Sequence, residues 1–288
     1  MRTLNEFNFD SCCIHKKFLD RPNLFKRFFE INNYIDISTE PLEELTVRYN
    51  VDPLLIENST IYCSSISAAS NNIINFPLFW MYSRPLVDYM PNSNYKFITM
   101  NGATSTTRTE FISKLESAEI LNQGVHSLWP SVSLPSEQDA TTHFDVKKTL
   151  PEEWYRSLYE FEIETCSTSG APYLFISEKT FRPLLSGKPF LNYGYPGMYK
   201  KLKEYGFIFD YNLSFDEDVD NRFDLYVKEV IRLINTPVSF SIEQKNKKIA
   251  RQLYNDNLEK YVEFKKQVKD LGDKIYLDNQ MAGHLGYV

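Results

Sequence analysis

Glu178, Lys179, Thr180 and Arg182 place an acid, a base, a hydroxyl and a second base directly after an apolar run that stops at Ser177. The run "EKTFRPLLSG" (178–187) predicts a helix ending at Gly187, with Pro183 limiting the tight part to its first turn. A helix amino terminus offers unpaired N–H groups and the positive end of a dipole, a ready seat for phosphate. Lys179 and Arg182 add positive charge and Thr180 adds a donor, whereas Glu178 suits the paired hydroxyls of a sugar. Together they fit a nucleotide, the acid for ribose and the bases for pyrophosphate. The competing reading makes Glu178 a helix cap and Lys179 a solvated charge.

A second segment, "TMNGATSTTR" (99–108), also follows an apolar run and precedes helical spacing. Its hydroxyls suit an anion, and Arg108 stands at the start of the helix. Neither GxxxxGK[ST] nor GxGxxG is present, which counts against ATP hydrolysis and dinucleotide redox chemistry. Arg108 and Lys179, brought together from two loops, would clamp a diphosphate without a metal. The competing reading of Arg108 is an ordinary first-turn surface arginine.

The elements that must position these residues alternate. "YKFITMN" (95–101) is a predicted strand, and 108–120 a helix with Phe111, Ile112, Leu115 and Ala118 on one face. Strands are expected in 155–165, 172–177, 188–194 and 207–211, and a helix over 196–206 opened by proline and closed by glycine. From Asp218 to about Leu271 the pattern is helical, interrupted near Thr236-Pro237. Earlier, 32–38 and 59–65 read as strands and 40–49 as a short helix. Alternating strands and helices imply a parallel α/β sheet, whose ligands sit outside the carboxyl ends of the strands. A turn at 89–94 divides the chain into an N-terminal half, 1–92, and a larger half, 93–288, whose terminal helices pack back.

Composition bounds the partners. With 288 residues and a net charge of −6, the chain has room for a substantial core and no global attraction to polyanions. The four cysteines form no CxxC pair, and His15, His126, His143 and His284 make no metal-binding spacing. No structural metal or other cofactor is therefore expected. "FDEDVD" (215–220) lacks the spacing of a calcium loop and reads as a solvated loop or helix start. No signal-peptide core or membrane-length apolar run is seen, so a soluble, cytoplasmic protein is expected.

The stretch "FISEKTFRPLLSGKPFLNYGYPGMYKKLKEYGF" resembles the nucleotide-sugar-binding half of GT-B glycosyltransferases. It looks most like the fucosyltransferase-type motif in which "EK" opens a donor-contacting helix and a "G-x-x-P" strand follows, and similar segments occur in small phage and viral glycosyltransferases. The resemblance covers about residues 95–215. It implies a GT-B-like fold of two Rossmann-like halves, the N-terminal one reduced, and a nucleotide-diphosphate sugar as donor substrate. It also implies diphosphate contacts from Lys179 and Arg108 and a ribose contact from Glu178, with Thr180 and Arg182 in support. The loop after Asn101 departs from the family's commoner, more basic arrangement.

The acceptor would lie in residues 1–92. An inverting transfer needs a base there; Asp10, His15 and Asp36 are candidates, and Asp36 is favoured from its place in the 32–38 strand. A strand-end carboxylate that caps the next segment is the alternative. The basic, Phe-rich run 15–27, including Lys16 and Lys17, suits a DNA backbone; the competing reading is an amphipathic surface helix with Phe18, Leu19 and Phe25 in the core and its lysines solvated. With the cytosolic character and compact, phage-like build, the sharpest acceptor expectation is the hydroxymethyl group of a modified pyrimidine in phage DNA, although the net charge of −6 counts against it. A glycan or lipid-linked sugar is the rival acceptor, and a non-catalytic nucleotide-sugar-binding protein the rival class.

Overall fold

The computed structural model describes residues 34–38, 60–63, 73–82, 86–101, 105–128, 131–134, 150–164 and 174–267, with the backbone alone at 34–38, 60–63 and 73–75. They fall into two compact units. One takes the described residues from 84 to 169 and from 176 to 253; the other takes those up to 83, those of 170–175 and those from 254 onward. The division thus falls at 83/84 rather than 92/93, and the chain after 254 is counted with the N-terminal unit.

The first unit contains a parallel sheet of β1 (Tyr34–Ser38), β2 (Thr60–Cys63) and β3 (Ile73–Asn75), in that order. The two strands expected here are present; β3 was not foreseen, and the helix expected at 40–49 lies outside the described residues. Aromatic residues build this unit's core. Phe76 and Phe79 pack on Tyr261 and Phe264, and the Tyr82 hydroxyl donates to the Tyr254 carbonyl at 2.6 Å.

The second unit is a four-stranded parallel sheet of β4 (Tyr95–Asn101), β5 (Gly124–Leu128), β6 (Ser157–Ile163) and β7 (Phe190–Tyr193), ordered β5-β4-β6-β7. Its alternation of strand and helix is the α/β pattern that the sequence predicts. One face carries Phe97, Phe161 and Tyr193 and meets α1 (Thr106–Ser117) and α5 (Arg222–Ile234) through Phe111, Phe223 and Tyr226. The other face carries Ile98, Glu160, Glu162 and Asn192. It meets Trp154 of α2 (Glu152–Tyr155), α3 (Glu178–Ser186) and α4 (Met198–Glu204). Lys188, buried before β7, donates to the carbonyls of Trp154 and Ser157 and lies over the rings of Tyr89 and Trp154.

Two glycines are required by position. A Cβ at Gly124 would stand 2.6 Å from the Phe97 ring, so β5 can approach β4 there only without a side chain. Gly187 closes α3 in the left-handed region, at φ +78°, with its N–H on the Pro183 carbonyl.

As the sequence predicts, α3 runs to Ser186 and closes at Gly187, with Ser177 capping its start and its inner face buried against the sheet. Two expectations need correction. Residues 174–177 form no strand, although Leu174 makes an isolated bridge. Residues 207–211 form no strand of the sheet. Asn246 of α6 (Ser241–Asp256) takes the strand partner's part, accepting from Ile208 N at 2.8 Å and donating to its carbonyl at 2.7 Å. The helical region breaks at 235–240, as Thr236-Pro237 predicts. Among the described residues, no helix is long and apolar enough to cross a membrane.

Candidate functional site

The order β5-β4-β6-β7 reverses direction at β4: β5 lies on one side and β6 on the other. In an open parallel sheet the crevice outside the carboxyl ends of two such strands is where ligands bind. The chain groups four charged residues there. Arg108 arrives on α1, Glu164 directly follows β6, and Glu178 and Lys179 open α3.

Ser177 organises the entry to α3. Its hydroxyl accepts from Lys179 N at 3.2 Å and donates to the Glu164 carboxylate at 2.7 Å. Glu164 and Ser177 are thereby joined, and the first turn of α3 is set beside the end of β6. Lys179 Nζ stands 3.2 Å from Glu178 and 3.6 Å from Glu164. Burial pulls the Lys179 pKa down, but Glu178 and Glu164 outweigh it and hold the ammonium above its ordinary value. The side chains of Lys179 and Glu178 keep 14% and 21% exposure, whereas Glu164 keeps 1%, so the first two form the accessible lip of the cluster.

Arg108 is not the surface arginine of the bland reading. It is 3% exposed, and its Nε and Nη2 donate to the Ile163 carbonyl at 3.2 and 2.9 Å. It thereby ties the first turn of α1 to the end of β6. It also lies close enough to Lys179 to oppose that residue's positive charge. The two cations proposed as a clamp thus converge on one strand end.

Thr180 and Arg182 face inward, so a direct contact with a ligand in the crevice does not belong to them. The Thr180 hydroxyl accepts from Asn192 Nδ2 at 2.9 Å and faces Met198 Sδ at 3.7 Å. Arg182 Nε donates to Glu160 Oε1 at 3.0 Å; Nη2 also reaches that oxygen, and stands 3.5 Å from Glu162 Oε1. These two residues support the site from beneath. The helical period that places 178 and 179 at the lip turns 180 and 182 toward the sheet. Asp36 lies on β1, where the backbone alone is described; Lys16 and Lys17, with Asp10 and His15, lie outside the described residues.

Sequence reasoning missed the role of β6. Glu160 and Glu162 alternate along it on the face beneath α3, Glu164 directly follows it, and all three are buried. The alternation in "YEFEIE" was visible but is the usual mark of a solvated face. Burial drives the Glu162 carboxyl up to about 8, with Glu160 adding to the rise and Arg182 and Lys179 opposing it. The acidic run at 215–220 has a structural part: Asp216 accepts from the N–H groups of Tyr199 and Lys200 at 3.1 and 3.0 Å, capping α4. Among the described residues no cluster of His, Cys, Asp or Glu is arranged to hold a metal ion.

No protein-family model matches the chain, and neither the curated proteins nor the solved structures include a match.

Proposed function

We propose that the chain is a nucleotide-sugar-dependent glycosyltransferase of GT-B-like organisation, moving a sugar to a hydroxyl acceptor. The observation that carries the reading is the convergence of Arg108 and Lys179 on the carboxyl end of β6, at the switch point of a parallel sheet. Lys179 supplies a charge for the donor diphosphate at an accessible lip, and Glu178 beside it accepts from the nucleoside ribose. Arg108 contributes positive potential from behind while it fixes α1. The reaction these residues serve is departure of a nucleoside diphosphate, helped by electrostatic stabilisation and positioning and by no metal. The Lys179 ammonium is already balanced by Glu178 and Glu164, so a diphosphate must displace those carboxylates to reach it.

For the acceptor we propose the hydroxymethyl group of a modified pyrimidine in DNA, with Lys16 and Lys17 on the DNA backbone and Asp36 as base. The test is sugar transfer from a panel of nucleotide sugars to duplex DNA with and without hydroxymethylcytosine, and to free glycans. Transfer confined to hydroxymethylated DNA supports both donor and acceptor readings. Transfer confined to glycans keeps the donor reading and removes the DNA one. Donor binding without transfer to either class leaves a nucleotide-sugar-binding protein.

A further inference from the structure

Beneath the proposed donor site, two buried polar atoms have no hydrogen-bond partner among the described residues: Oε2 of Glu162 and Oδ1 of Asn192. Both residues are 0% exposed. They are register partners across β6 and β7, so their side chains leave the same face of the sheet side by side. The remaining polar atoms of both side chains are engaged. Glu162 Oε1 accepts from Met100 N at 2.9 Å, with Arg182 Nη2 at 3.5 Å. Asn192 Nδ2 donates to the Thr180 hydroxyl at 2.9 Å. Two neighbouring acceptors without a donor are costly in a protein interior, and a single proton between them removes the cost.

Charge balance points the same way. Arg182 is the cation that reaches both Glu160 and Glu162, and Glu160 holds it by two nitrogens. An ionised Glu162 would leave this buried group one negative charge in excess. Lys179 is held by Glu178 and Glu164, while the Tyr226 hydroxyl donates to the backbone carbonyls of Glu162 and Leu191. We propose that Glu162 carries its proton in the native protein and donates it from Oε2 to Asn192 Oδ1, and that this bond positions the opening turn of α3. The route is short: Glu162 holds Asn192, Asn192 holds Thr180, and Thr180 adjoins Lys179 and Glu178 in the same helical turn. Glu162 is thus a positioning residue for the site; that second half of the inference rests on the donor-binding reading.

Ionisation would put a carboxylate against an amide oxygen and against Glu160, pushing the pair apart. The folded state keeps the proton up to about 8, whereas the unfolded chain loses it near 4.5. The stability tied to this proton is therefore complete below the lower value and is lost as pH rises toward the upper one.

The test is infrared spectroscopy of the native protein and of Glu162→Gln, whose amide N–H can make the same bond permanently, from about pH 6 to about pH 9. The native spectrum should show a protonated-carboxyl C=O band at neutral pH. That band should fade on the alkaline side and be missing from Glu162→Gln, and it should shift in Asn192→Ala as the bond is lost. Absence of a band removed by Glu162→Gln overturns the shared proton, and an unshifted band in Asn192→Ala overturns the partnership.

Calorimetry with nucleoside diphosphates then tests positioning. Native affinity should fall about tenfold one pH unit above the transition, where about a tenth of the protein keeps the proton, while Glu162→Gln loses less than about twofold. Equal losses in the two proteins overturn the positioning role. The carboxyl band together with no nucleotide binding at any pH overturns the donor reading and leaves the pair intact.

Discussion

At the scale of single residues, Lys179 and Arg108 have different duties although the sequence assigns them one. Lys179 ends at a partly exposed lip and, among the described residues, its ammonium pairs with the side chains of Glu178 and Glu164, so Lys179→Ala should weaken nucleoside diphosphate binding about tenfold and leave the fold intact. Arg108 is buried and holds the Ile163 carbonyl with two nitrogens. Arg108→Ala should therefore lose about 1.5–3 kcal/mol of stability along with any loss of affinity, visible as a lower urea midpoint. Arg182 is a third case. Removing it strands Glu160 in the interior, and Arg182→Ala should cost about 3–5 kcal/mol. A mild effect at Arg182 would mean that the buried carboxylates balance their charge in another way. The sequence singled out positions 178–182 as candidates, but not which members face the crevice. That division depends on which side of α3 meets the sheet, and Arg182 has long-range partners 20 and 22 residues earlier in the chain.

At the scale of elements, alternation of apolar runs with helical spacing made β4, α1, β6, α3, β7 and α4 legible, because each has its own period and punctuation. One expected strand is not formed, for a physical reason. Residues 207–211 have the composition of a strand, yet the N–H and carbonyl of Ile208 pair with one asparagine of α6. Asn246→Ala removes both bonds to Ile208, including a buried amide, and should cost about 1–3 kcal/mol. Gly187→Ala forces a Cβ into the left-handed region, with Lys247 Cδ 3.0 Å from its position, and should cost about 1–2 kcal/mol. Both effects are measured as shifts of the denaturation midpoint at constant slope. No shift for Gly187→Ala would mean that the end of α3 relaxes to another conformation.

At the scale of the whole molecule, the sequence led to an α/β class and to a sheet whose strand ends carry the charged residues, and the second unit has that form. The sequence did not lead to the boundary between units, because the chain enters one unit, leaves it, and is counted with the first again after 254, and no local composition marks such returns. The central claim is that the carboxyl end of β6, with Lys179 and Glu178 at its lip, binds a nucleoside diphosphate. The most direct measurement is a calorimetric titration of the native protein, Lys179→Ala and Glu178→Gln with a panel of nucleoside diphosphates. The expected result is binding of at least one by the native protein. Lys179→Ala should weaken it about tenfold, and Glu178→Gln should also weaken it, because the amide turns one strong acceptor into a donor facing the ribose. Native binding that neither substitution reduces, or no binding of any nucleoside diphosphate, would contradict the account.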